Sequence, residues 1–340
     1  MNLNNPDGEA IYAVFEADDR KEIDTFAYEG TEEFVIIRME EHFRLLTLYF
    51  ENHRRWVTAY LTPHKPITVT GDVRYPPLIR VKGGRINDML TGFRGKVSTL
   101  LKEQTDLMNA AASSSDPSNE AKYTTRLAGI NYELRLRAEA FIEKYPDEEA
   151  SAVLIGEYLI DPEHPLFAEK FVNLLSPELN DFYVVKDLKN SIEKAKRTIP
   201  GVAAPGFETL NIDGKAFGKE SFSGRYFILA FVSAWRDKCQ TKELQLDRII
   251  ASFPKDSLDV MLVALDEDAR DVREQIRTDS ISWNVVTDSA GEAIRLTDLY
   301  NASILPCCYL MDREGVILLK TEHGVALEQE LDKRINRKKD

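Results

Sequence analysis

Apolar and polar residues alternate with a period of two in the opening stretch of the chain. In "RWVTAYL", Val57, Ala59 and Leu61 oppose Trp56, Thr58 and Tyr60, and "ITVTGDV" sets Ile67 and Val69 on one face. Turn signals punctuate this pattern at Asn5-Pro6-Asp7-Gly8, Asp18-Asp19, Pro63 with Pro66, Pro76-Pro77 and Gly83-Gly84. Short strands at this spacing predict a β-rich N-terminal domain over 1–84, an antiparallel sheet or small sandwich. No catalytic cluster stands out in it.

From residue 85 the period becomes helical. Ile86, Met89, Leu90, Phe93, Val97, Leu100 and Leu101 recur on one stripe. "SSSDPSN" (113–119) breaks it, and Leu127, Ile130, Leu134, Phe141 and Ile142 resume it until Tyr145-Pro146. Shorter helices are predicted past Asp161-Pro162, His164-Pro165 and Ser176-Pro177, with a charged one in "KDLKNSIEKAKRT" (186–198). These stripes read as core rather than as a cofactor pocket, so 85–200 is a helical middle region. Gly201 to Pro205 reads as a linker.

The remainder, 201–340, alternates strand and helix. Apolar runs at Phe227–Ala234 and Val260–Leu265 flank a predicted helix over Gln240–Phe253, and a second helix is expected at Asp268–Thr278. A short "WNVVTD" strand, a helix around Glu292–Tyr300 and a hairpin of "CCYLMD" with "GVILLK" complete it. Interleaved strands and helices imply parallel crossovers, and the hairpin adds an antiparallel pair: a mixed α/β sheet flanked by helices.

Composition narrows the function. A net charge of −13 over 340 residues argues against a general nucleic-acid binder, which needs clustered Lys and Arg. The histidines at 42, 53, 64, 164 and 323 include no pair at helical ligand spacing, so no metal site and no cofactor is expected. Three cysteines, Cys239, Cys307 and Cys308, are too few for a disulfide scaffold. No apolar run reaches transmembrane length. The opening "MNLNNPDGEA" is polar and is no signal peptide, which leaves a cytoplasmic protein or a segment without its leader.

The ordered set "APGFETLNIDGKAFGKESFSGRYFILAFVSAW", "WRDKC", "VALDED", "WNVVTD" and "ILPCCYLMDREGVI" resembles the thioredoxin-fold thiol–disulfide oxidoreductases of the TlpA/ResA type. The likeness spans Gly201 to Ile335, and the β-rich segment is similar, more loosely, to N-terminal regions that precede such domains. The resemblance implies a thioredoxin-like C-terminal domain and a place in the cell envelope facing the periplasm. A lipid anchor there would be carried by residues absent from this sequence. In the family a Trp-Cys-x-x-Cys loop opens a helix, whose dipole and unpaired amides stabilise the first thiolate while the second thiol resolves the mixed disulfide. Trp235 matches the Trp and Cys239 the resolving Cys, but Arg236 stands where the nucleophile belongs. A guanidinium cannot attack sulfur, so the two-thiol cycle is not available from this loop. The acid and proline expected three and five residues after the second Cys are Lys242 and Leu244.

The loop also has a purely structural reading, with Asp237 and Gln240 as a capping box stabilising the helix start by about 1 kcal/mol. The resemblance further implies a cis proline at Pro306, with Leu305 before it, beside the loop. The binding surface is therefore Trp235, Arg236, Asp237, Lys238, Leu305 and Pro306, and its partner an unidentified protein or extended peptide. The alternative is a one-thiol redox or peroxide-reactive enzyme using Cys239, with Cys307 as a second candidate catalytic residue. "CQTKE" is similar to the C-x-T-E stretch of a peroxiredoxin, although Arg236 and Val232 replace that family's Thr and Pro. A Cys239–Cys307 bridge needs Cα atoms about 4.4–6.8 Å apart; otherwise the thiols are small hydrophobes. Cys307 and Cys308, adjacent on a strand, face opposite ways and do not bridge each other.

Overall fold

The computed structural model describes residues 2–4, 11–17, 20–26, 44–50, 54–113, 117–161, 164–222, 224–233, 244–254, 256–265, 284–288, 291–302 and 304–335. The helix expected at Asp268–Thr278, the loop Trp235–Cys239 and the Asp237/Gln240 capping box lie outside them. The chain forms two units, Met1–Ile160 with Lys170–Leu188, and Asp161–Glu169 with Lys189–Asp340.

In the first unit β2 (Ile11–Ala17), β3 (Arg20–Phe26), β4 (Arg44–Phe50) and β5 (Arg55–Leu61) make an antiparallel sheet in the order β3-β2-β4-β5. Burial follows the period of two along β2 and into β5: Ile11, Ala13 and Phe15 are buried, as are Val57 and Ala59, while Trp56 is exposed; at the end of β5 Tyr60, on the Trp56 face, is buried as well and Leu61 only half-buried. A second sheet joins β1 (Asn2–Asn4), β6 (Thr68–Asp72) and β7 (Arg80–Lys82). There β1 runs parallel to β6, which the antiparallel expectation did not include. Parallel pairing joins segments distant in sequence, and no local turn residue announces it. Leu3, Val69 and Val81 share one apolar core with Ile11, Leu46 and Val57.

The helical middle region follows as α1 (Arg85–Lys96), α2 (Ser98–Ser113), α3 (Pro117–Lys144), α4 (Glu149–Tyr158), α5 (Pro165–Val172) and α6 (Tyr183–Lys196). Proline is at home in a first turn, which is why α3 starts there. Two polar side chains pin α1 to the strands. Asn87 is buried; its Oδ1 accepts from Tyr60 N–H at 2.9 Å, and its Nδ2 donates to the Tyr60 and Gly83 carbonyls, both at 2.7 Å. Thr91 Oγ1 accepts from Val81 N–H at 3.1 Å and donates to Val81 O at 2.6 Å. Both side chains thereby bond backbone groups of the strands from the helix side.

The second unit holds a small hairpin of β8 (Glu208–Leu210) with β9 (Ala216–Gly218) and a five-stranded mixed sheet. Its strands are β10 (Tyr226–Val232), β11 (Leu258–Ala264), β12 (Asn284–Thr287), β13 (Cys307–Met311) and β14 (Ile317–Thr321), ordered β12-β11-β10-β13-β14. β10, β11 and β12 are parallel, and β13 and β14 antiparallel to their neighbours. This is the mixed sheet expected from the pattern. Both faces are covered, so β10 reads as a continuous apolar run. Phe227, Leu229 and Phe231 enter a core with Ala293 and Leu296 of α8 (Glu292–Leu299). Ile228, Ala230 and Val232 enter the opposite core, with Ile249 of α7 (Leu246–Ser252) and Leu327 of α9 (Gly324–Asp332).

Two differences from the sequence reading stand out. Within the span expected as one helix, Gln240–Phe253, residues 240–243 lie outside the described residues, Leu244 is helical, and the helix Leu246–Ser252 is separated from it by Gln245, left-handed at φ 49°, ψ 36°. An L-residue avoids that region, so the chain turns sharply there and the helix does not run through. The segment read as a linker is instead paired: Gly201 N–H donates to Ile317 O at 2.7 Å, Ile317 N–H to Val202 O at 2.9 Å, and Ala204 N–H to Gly315 O at 2.9 Å. Residues 201–204 thereby satisfy backbone groups on the outer side of the β13–β14 hairpin.

Candidate functional site

The site is built around the end of β10. Phe231 pairs with Cys307, the first residue of β13, in antiparallel register. The chain therefore leaves β10 through Val232 and Ser233 beside the point where Leu305 and Pro306 enter β13. The Leu305–Pro306 bond is cis. Ile304 is 56% exposed, Leu305 and Pro306 are half-buried, and Leu305 packs against the Phe231 core. An apolar shelf is thus open to solvent on one side and anchored on the other. Trp235, Arg236, Asp237, Lys238 and Cys239 follow Ser233 in sequence and lie outside the described residues, as does any pairing of Cys239 with Cys307.

Cys307 and Cys308 are both buried, at 2% and 0% exposure. Cys307 enters the core of Phe231 and Tyr309, Cys308 the opposite core of Ile249 and Leu327, so a mutual bridge is excluded by strand alternation. Burial drives the Cys308 thiol well above its ordinary pKa, and the neighbouring Cys307 adds to the effect. A thiol so held is neutral and unreactive near neutral pH.

Cys307 has polar company that the sequence reading missed. The Tyr309 hydroxyl donates to the Tyr300 carbonyl, and the Cys307 and Thr198 side chains are near enough to bear on its ionisation. The Tyr300 hydroxyl in turn donates to Pro205 O at 2.6 Å. Desolvation raises the pKa of both phenols, and at Tyr309 proximity to Cys307 raises it further. The available signal was spacing: Tyr309 stands two residues after Cys307, on the same strand face.

Among the described residues, no group of three or more His, Cys, Asp and Glu converges to hold a metal. No described helix is long and apolar enough to cross a membrane.

Residues 200–320 match the AhpC/TSA family. The C-terminal unit carries a thioredoxin-like domain, its mixed sheet flanked by helices. Solved structures similar to it include the thioredoxin domain of a thiol-disulfide oxidoreductase from Bacteroides vulgatus, with 24% identity, TM-score 0.36, and coverage of 40% of this chain and 98% of that one. StoA from Bacillus subtilis shows 25% identity and TM-score 0.31 over 38% and 98%. A thioredoxin-like protein from Bacteroides caccae, 20% identical with TM-score 0.47, spans 65% of this chain and 85% of its own. A comparison with curated proteins returned no match.

Proposed function

We propose that this is a cell-envelope protein whose thioredoxin-like domain binds an extended polypeptide segment of a partner at Trp235, Leu305 and Pro306, without ordinary disulfide reductase activity. The observation that carries the reading is Arg236, a cation at the position from which sulfur attack would begin. The burial of Cys307 and Cys308 supports it, because neither thiol is exposed to take over the nucleophile's role. The partly exposed Ile304-Leu305-Pro306 shelf supports it as well, since an extended chain can add alongside strand backbone while apolar side chains fill the neighbouring surface. The division into a β-rich domain over 1–84, a helical region over 85–200 and a thioredoxin-like domain over 201–340 belongs to the same proposal. The periplasm-facing location and a lipid anchor belong to the same proposal.

A second reading rests on Cys239 within "CQTKE", as a one-thiol redox or peroxide-reactive centre. One set of assays decides between them: insulin reduction, peroxide consumption, and binding of reduced, carboxymethylated α-lactalbumin, a thiol-free unfolded chain. The binding reading expects no turnover and a binding signal weakened by Trp235→Ala and Pro306→Ala. Turnover that disappears in Cys239→Ser would replace it with the enzymatic reading.

A further inference from the structure

We propose that Tyr309 and Lys320 are positioning residues for the Leu305–Pro306 shelf: together they fix the turn that ends α8, from which the shelf departs. The inference rests on the reading above, that Leu305 and Pro306 meet the partner's chain.

A helix leaves its last carbonyls without intrahelical donors, and a left-handed residue lets the chain fold back to satisfy some of them. α8 ends in this way. Asn301 is left-handed at φ 50°, its N–H donates to Asp298 O at 3.2 Å, and Ala302 N–H reaches back to Thr297 O at 2.9 Å. The carbonyls of the turn itself, on Tyr300 and Asn301, are taken by side chains of the neighbouring hairpin. The Tyr309 hydroxyl donates to Tyr300 O, and Lys320 Nζ donates to Asn301 O at 3.2 Å.

The two donors act as a pair. Tyr309 of β13 and Lys320 of β14 stand opposite each other in the ladder, so their side chains share a face of the sheet. The Lys320 ammonium lies 5.5 Å from the centre of the Tyr309 ring, within range of cation–π attraction. A cation at this end of α8 also suits the negative pole of the helix dipole. Tyr309 is fully buried and Lys320 half-buried, so the inner tether is dry and the outer one meets solvent.

What this cap adjoins gives it a role beyond stability. Ala302, next after the turn, is buried in the core that holds Phe231, Tyr300 and Tyr309, and Leu305 packs against the same core. On the other side of Pro306, Cys307 is locked to Phe231 in the β10–β13 ladder. The shelf is thus a short bridge between two fixed ends. A bridge already held in its binding conformation spares the ordering cost when an extended chain lies along it. Backbone bonds of the ladder fix one end; Tyr309 and Lys320 fix the other.

The test compares Lys320→Met, Lys320→Arg and Tyr309→Phe with a control, Lys215→Met, at an exposed position in the turn between β8 and β9. Two quantities are read at a temperature where circular dichroism shows every variant folded. One is the Leu305 methyl resonances, which sense position against the aromatic core; the other is affinity for reduced, carboxymethylated α-lactalbumin at low and high ionic strength. Loss of one tether bond, in Lys320→Met or Tyr309→Phe, is expected to move the Leu305 resonances and weaken binding by about fivefold. Lys320→Arg, which keeps donor and charge, should stay near wild type, as should Lys215→Met. The loss should persist at high ionic strength, where attraction between Lys320 and the acidic probe is screened. A cap that serves stability alone would lower the melting temperature and leave resonances and affinity unchanged. That result, a loss confined to low ionic strength, or an equal response in Lys215→Met overturns the proposal. A wild-type protein that does not bind α-lactalbumin sinks the binding reading instead, and the Leu305 resonances then decide the positioning: unmoved in both tether variants, they overturn it.

Discussion

Replacing the two adjacent cysteines with serine, one at a time, tests whether the strand presents them to chemically different surroundings. The substitution keeps shape and exchanges sulfur for a hydroxyl that needs a hydrogen bond. At Cys308 the side chain has 0% exposure and enters the core of Ile249, Leu310 and Leu327. Burying a hydroxyl there without a partner costs about 1–3 kcal/mol by mutational precedent. For a unit of this size, 1 kcal/mol shifts the melting temperature by about 2–4 °C, so Cys308→Ser should melt about 2–12 °C lower. Cys307 instead neighbours the Tyr309 hydroxyl, whose proton is donated to Tyr300 O and whose oxygen is left to accept. A serine hydroxyl there is expected to donate to the Tyr309 oxygen, which holds the loss under about 1 kcal/mol. Differential scanning calorimetry of both variants under reducing conditions measures the contrast. Equal losses, or a larger loss at Cys307, would refute the assignment of the two thiols to an apolar and a polar-lined face.

Three further outcomes are expected. Asn87→Ala strips partners from the Tyr60 N–H and carbonyl and should cost the first unit about 2–4 kcal/mol in urea unfolding; a loss below about 1 kcal/mol would show that those groups find other partners. Gln245→Gly relieves a left-handed residue and should stabilise the second unit by about 0.5–1 kcal/mol after the unfolded glycine's extra freedom is subtracted, whereas Gln245→Val should destabilise it. The pKa values of Tyr60, Tyr158, Tyr183, Tyr300 and Tyr309 are all raised from 10.0, chiefly by burial. Each phenol holds its proton more tightly folded than unfolded, so this contribution is complete below about pH 10 and declines as pH rises above it. Melting temperatures should fall above about pH 10, with tyrosinate absorbance at about 295 nm growing along with unfolding; full ionisation of the folded protein at that pH would contradict the burial.

Much of the architecture was legible because it follows from local periodicity. Val57 and Ala59 alternate with exposed Trp56 as a half-buried strand requires, and Ile86, Leu90, Phe93, Val97 and Leu101 form the buried stripe that their spacing predicts. The features that escaped have no local signature. A left-handed Gln245 is imposed by tertiary packing, since its sequence neighbours read as ordinary helix. The start of α6 at Tyr183 was hidden because Tyr183, Val184 and Val185 carry no charge pattern, while the tract from Lys186 does. The parallel pairing of β1 with β6 sets Asn2 against Thr70, too far along the chain for any turn residue to mark. At the site, the place of Leu305 and Pro306 at the head of β13 was readable from the likeness to a known family; the Tyr309–Cys307–Thr198 contacts were not, because they join residues that only the fold brings together.

The pairing of residues 201–204 along the hairpin has a practical side. A fragment of the C-terminal domain cut at Pro205 would lose the bonds that join Gly201, Val202 and Ala204 to Gly315 and Ile317, and with them Thr198, a neighbour of Tyr309. Its outermost strand would then offer a bare row of donors and acceptors to the next molecule in solution, an invitation to aggregate. Expression of this domain by itself calls for a start ahead of Thr198, so that the short strap travels with the sheet it closes.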